Sequence, residues 1–189
     1  GIGMFNNYMF GIVIIVAHFL GALLNGLIYR KYNYKYETGD ANVQGTTNAD
    51  NILENSMYSS IKSILIIGGY IALFFMLINM LNHYNILYPI NHVLNLVNFG
   101  LPYDAITSIT NGFIEITKGC LDLSKSLLNT KTAAVIATAI ISFGGLSVHM
   151  QALTFLSKFK IKLGFYFLQK ITHCLIATIL SIPLVFIFL

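Results

Sequence analysis

Two stretches decide the reading of this chain: Asn111-Gly-Phe-Ile-Glu-Ile-Thr-Lys-Gly119 and Ser142-Phe-Gly-Gly-Leu-Ser-Val-His-Met-Gln151. Each sets polar groups and glycines inside a run otherwise apolar enough for a bilayer. Ionisable side chains and broken backbone are costly at membrane depth, so they usually line a cavity or pathway. The two stretches therefore predict a polar site inside a membrane protein. The remaining apolar segments read as the scaffold that holds them in lipid.

Composition agrees. Of 189 residues, 10% are charged and 56% hydrophobic. A soluble domain carries about 25% charged residues, so there is too little charge here to cover a water-facing surface. The net charge of +4 comes from short basic patches beside apolar runs. Positive-inside topology produces that pattern, whereas a nucleic-acid groove needs a basic stripe. Cys120 and Cys174 lie in or beside apolar segments and read as buried thiols. No set of residues has metal-ligand spacing, and no cofactor or metal is implied. The chain starts at Gly1 on an apolar segment, without a signal-peptide pattern. It is expected to be a piece of a longer protein.

Outward from the two stretches, residues 9–28 form an uncharged run long enough to span about 30 Å as a helix. Small residues in it admit a close neighbour. His18 within it is expected to make a helix–helix hydrogen bond. Arg30, Lys31 and Lys35 follow among tyrosines and place this end on the cytoplasmic side. Residues 37–50 are polar and read as a loop. Residues 51–63 read as an interfacial helix feeding a span over 64–81 that contains Gly68-Gly69. Pro89 opens a short apolar segment to Phe99, either a tilted span or half of a broken helix. Lys158, Lys160 and Lys162 form a second basic patch, and residues 171–189 a last span.

Within the first stretch, Asp104 is placed to cap the helix that follows. Asn111 and Glu115 are four apart and would share a helix face, flanked by Thr107 and Thr110. An ionised Glu at bilayer depth costs on the order of 3 kcal/mol unless paired, protonated or hydrated. Glu115 is then either a coupling-ion or substrate contact, or half of a surface pair with Lys118. In the second stretch Gly144-Gly145 interrupts the apolar run, and Ser142, Ser147, His149 and Gln151 cluster around it. A discontinuous helix of this kind offers free amides and carbonyls to a ligand. The bland alternative is a packed helix with a Gly-Gly contact.

If all basic patches share one side, residues 64–81 cross outward and 86–99 cross back. The two stretches then each dip in and return. The expected fold is an all-α, polytopic integral membrane bundle with two re-entrant or broken-helix hairpins. His18-Phe-Leu-Gly-Ala22 echoes His173-Cys-Leu-Ile-Ala177. On that echo, residues 1–36 close a preceding repeat, 37–50 link, and 51–189 form a second repeat. Many transporters are built from two such halves with the site between them.

The two quoted stretches, together with Ser60-Ile-Lys-Ser-Ile-Leu-Ile-Ile-Gly-Gly-Tyr70, resemble the nucleoside-recognition or Gate domain. The likeness is strongest to sporulation integral membrane proteins of the YlbJ type. It implies a bacterial membrane protein, with dipicolinic acid crossing the outer forespore membrane as the associated process. A nucleoside-like solute is the lesser implication. The residues it carries over as substrate-binding are Asn111, Glu115, Thr117, Ser142, Gly144, Gly145, Ser147 and Gln151. The expected function is a transporter or permease component for a small polar solute. The expected partners are the lipid bilayer and either the N-terminal half of a longer protein or a second copy. The alternative is a non-transporting scaffold or receptor for sporulation partners. An enzyme is not expected: Ser147 and His149 are the nearest nucleophile–base pair, and a helix turns residues two apart away from each other.

Overall fold

A computed structural model describes residues 2–31, 49–97, 100–156 and 162–189. These residues form nine α-helices and no strand: α1 Ile2–Phe5, α2 Tyr8–Tyr29, α3 Ala49–His83, α4 Tyr88–Leu96, α5 Tyr103–Ile114, α6 Ile116–Lys125, α7 Thr130–Phe143, α8 Gly145–Leu156 and α9 Leu163–Phe188. Four stretches are long and apolar enough to cross a bilayer: Tyr8–Tyr29, Ile52–His83, Thr130–Leu156 and Leu163–Phe188. The chain is an all-α polytopic integral membrane bundle. Most of the 37–50 loop, Phe99, and Lys158 and Lys160 lie outside the described residues.

Helix α2 starts where Asn7 Oδ1 accepts from the Met9 and Phe10 amides at 2.9 and 3.3 Å. It packs antiparallel on α9 through a small-residue contact. A Cβ added at Gly21 would lie 2.8 Å from Ala177 Cβ, so the backbones approach as small residues alone permit. The two echo segments meet here, with the His18 and His173 rings 4.8 Å apart. One end of the pair is set by Tyr29 against Phe165. Helix α7 runs along α9 in turn: the Cys174 thiol reaches Ala139 O, and Lys131 Nζ sits 5.0 Å over the Phe186 ring. Phe10, Val13, Leu123, Ala137, Ile140 and Val185 fill the core between α2, α6, α7 and α9. Both cysteines are free thiols.

Three sequence expectations change. First, the interfacial helix and the span after it are one helix, α3, of 35 residues. Gly68 and Gly69 do not interrupt it, and a Cβ at either meets nothing within 4 Å. Gly68→Ala and Gly69→Ala are each expected to raise stability by about 0.5–1 kcal/mol, because glycine lowers helix stability by that much. Thermal unfolding in detergent measures it. Second, α4 has nine residues. At 1.5 Å per residue it is about 14 Å long, too short to cross about 30 Å of hydrocarbon. The return crossing expected over 86–99 is not made.

Third, the side assignment of two lysines changes. Tyr29 and Phe165 mark one end of the bundle, and Lys131 lies beside Phe186 at the other. Lys131 is therefore opposite Arg30, Lys31 and Lys162. Four crossings keep those three basic residues together, while Lys125 and Lys131 fall on the far side. Lone lysines in short connections are a weak topological signal against whole basic flanks.

Candidate functional site

Helix α5 begins after Pro102, whose φ of −66° suits a helix start. Asp104 is therefore not the cap, because Pro102 already holds that position. Asp104 lies in the first turn, where its charge favours the helix dipole. The helix stops at Ile114. Glu115 is extended (φ −144°, ψ 122°) and belongs to neither helix. The face expected to join Asn111 and Glu115 is broken there. The Glu115 side chain instead caps α6, with Oε2 accepting from the Lys118 amide at 2.7 Å. The surface pair with Lys118 is not formed, because Lys118 Nζ binds Asp122. Glu115 is 1% exposed, so a carboxyl group sits at the turn, sealed from bulk water.

Helices α5 and α6 fold back on each other as a hairpin. A Cβ at Gly119 would lie 2.1 Å from Gly112 Cα, so the two backbones touch. Asn111, one turn before the break, ties the hairpin together. Its Nδ2 donates to Asp122 Oδ2 at 2.7 Å, and its Oδ1 accepts from Asn82 Nδ2 of α3 at 3.2 Å. Together with Lys118 these residues line a polar cleft of about 420 Å³, which Tyr103, Asp104, Thr107 and Ser108 also border.

The second stretch breaks as its glycines predict. Gly144 (φ +100°) and Gly145 (φ +51°) are both left-handed, a conformation glycine adopts without steric cost. Helices α7 and α8 do not pack along each other, unlike α5 and α6. Instead α8 continues the crossing. Ser142 is level with His18, whose Nδ1 lies 3.1 Å from Ser142 Oγ. His149, further on, is level with Tyr166, with Nδ1 3.0 Å from the phenol oxygen. The second element is thus a broken span and not a folded-back hairpin.

The two breaks meet. A Cβ at Gly145 would lie 3.0 Å from Gly112 O and 3.4 Å from Ile114 O. The start of α8 therefore rests on the carbonyl end of α5, next to Glu115. Immediately beyond, Ser147 is fully buried and Gln151 is 9% exposed. Ser147 Oγ, Gln151 Nε2 and His149 Nε2 are sealed without a hydrogen-bond partner. His149 points to α9, among the rings of Phe143, Tyr166 and Phe167. Of the expected site residues, Asn111, Glu115, Ser142, Gly144, Gly145, Ser147 and Gln151 are buried around this junction, whereas Thr117 lies on the exposed face of α6. Asn82 and Asp122 were not anticipated, and Lys118 was expected beside Glu115 and not on Asp122. Only the spacing of four between Lys118 and Asp122 marks that pair in the sequence. The described residues hold no cluster of three or more metal-ligating side chains.

Broken helices that meet inside a polytopic bundle, around a buried carboxyl group and unpartnered polar atoms, define an integral membrane protein with an internal polar junction. Its similarity to known proteins runs the same way. The chain is similar to the sporulation integral membrane protein YlbJ of Bacillus subtilis (strain 168), with 26% identity over 204 residues. The match covers 94% of this chain and 49% of that protein, so the chain spans about half the length of the curated relative. No family model and no solved structure matches.

Proposed function

We propose that the chain is half of a transporter or permease that passes a small polar solute through the junction of the two breaks. The observation that carries this reading is the pair Ser147 Oγ and Gln151 Nε2. Both are buried without a partner, one helical turn apart, two and six residues after Gly145. An unsatisfied buried polar group costs about 1–3 kcal/mol, which a bound polar solute would relieve. The first amides of α8 add an electropositive helix end at the same place. Glu115 would carry a coupling proton or bind a cation.

The solute favoured by the likeness to sporulation proteins is dipicolinate, crossing the outer forespore membrane; a nucleoside, as in the Gate domain resemblance, is second. A dicarboxylate is repelled by an ionised Glu115, and Asp122 has already taken up Lys118. Glu115 would therefore be protonated when such a solute binds, with the α8 end facing a carboxylate. Either the other half of a longer protein or a second copy would complete the pathway.

The test is uptake of labelled dipicolinate into vesicles carrying the full-length protein. Ser147→Ala with Gln151→Leu is expected to hold or raise thermal stability, because two unsatisfied groups are removed. Uptake should nevertheless fall by about tenfold or more if each lost contact counts about 1 kcal/mol. Undiminished uptake in a stable double variant would reject the junction as the solute site.

A further inference from the structure

A second polar cleft, of about 250 Å³, opens between α2 and α9 toward the end marked by Tyr29. Asn25, Tyr29, Gln169 and Lys170 line it, with Gly26 on one wall. Lys170 lies seven residues inside α9, about 10 Å along the helix from its start. No Asp or Glu occurs in α2, α7, α8 or α9. The ion pair among the described residues is Lys118–Asp122, on another part of the bundle. Among the described residues Lys170 therefore has no carboxylate partner, and a positive charge set this far inside a membrane helix is a costly placement that usually marks a ligand or a partner.

The surroundings say what kind of ligand fits. The wall at Gly26 is open, since a Cβ there meets nothing within 4 Å. Leu23 and Ile171, next in sequence to the lining residues Ala22 and Lys170, are 67% and 48% exposed, as side chains facing acyl chains would be. Tyr29 ends α2 at the level where tyrosines meet headgroups. Its hydroxyl lies 3.3 Å from Thr172 Oγ1, whose single proton has a nearer acceptor in Asn25 Oδ1 at 2.7 Å, so the phenol O–H of Tyr29 is the group with a proton to turn toward Thr172 or into the cleft. Arg30 and Lys31 follow Tyr29 in the chain and are exposed.

We infer that this cleft binds the phosphate of an anionic phospholipid from the leaflet on the basic side, with Lys170 as the counter-charge and Tyr29 as a donor. Basic pockets between membrane helices are suited to such headgroups. The assignment is independent of transport, and its readout is lipid retention. The full-length protein, purified in detergent, is mixed with phosphatidylglycerol or phosphatidylcholine, and bound lipid is counted by native mass spectrometry.

Phosphatidylglycerol is expected to be retained over phosphatidylcholine. Lys170→Gln should lower its retention about fivefold, the effect of one basic residue. Lys170→Arg should preserve retention. Tyr29→Phe, which keeps the ring against Phe165, should lower it less, and serves if Lys170→Gln does not fold. Equal retention of the two lipids would overturn the inference, as would no change on neutralising Lys170; the lysine would then simply reach up to water. Displacement of the lipid by free glycerol phosphate, as effectively as by phosphatidylglycerol itself, would overturn the lipid assignment in favour of a soluble anion.

Discussion

Glu115→Gln is expected to reduce solute uptake to the level of vesicles without protein, while the variant still reaches the membrane. The amide retains an oxygen that can accept from the Lys118 N–H, so the cap of α6 survives. What disappears is the ability to gain and lose a proton at the junction. Glu115→Ala separates the two roles: it should also lose about 1 kcal/mol of stability with the cap. Uptake in proteoliposomes, with membrane insertion checked by fractionation, measures both. Full uptake by Glu115→Gln would remove this carboxyl group from any coupling step.

Gly119→Ala is expected to damage the fold severely. The new Cβ would lie 2.1 Å from Gly112 Cα, 2.5 Å from Gly112 N and 2.9 Å from Ser108 O. All three are backbone atoms, so no side chain can swing away. The hairpin must open, which also separates Asn111 from Asp122. Overpacking of this kind costs about 1–3 kcal/mol, and here the upper end is expected because backbone must move. Monodisperse protein recovered in detergent, and its melting temperature, report the loss. Gly68→Ala, with open space around it, is the control in the opposite direction. Wild-type recovery of Gly119→Ala would mean that α5 and α6 are not in backbone contact.

How much of this was legible in the sequence depends on the element. The class was legible because charge scarcity and uncharged runs follow directly from the solvent. The break at Gly144-Gly145 was legible because two glycines among polar residues rarely occur in a continuous span. The break at Glu115 was visible as a costly residue, but not as a break: nothing in Phe-Ile-Glu-Ile-Thr forbids a helix. Tertiary packing of Gly119 on Gly112 folds the chain there, and the carboxylate caps the new helix. Asn82 was invisible as a site residue because its partner, Asn111, lies 29 residues away. The length of α3 was misjudged because its first turns are polar, and polarity alone does not end a helix. The path of α8 needed His149 and Tyr166 in three dimensions.

The junction of Gly145 with the carbonyl end of α5 has an electrical consequence. If the α5–α6 hairpin enters the bilayer from one face and half of the broken span from the other, the junction lies near mid-depth. The insulating layer between either aqueous phase and the junction is then about 15 Å, half of the usual thickness. A charge lodged there would sit roughly midway down the transmembrane voltage. Each half-step would then sense about 1.2 kcal/mol per 100 mV for a unit charge, half of the full drop.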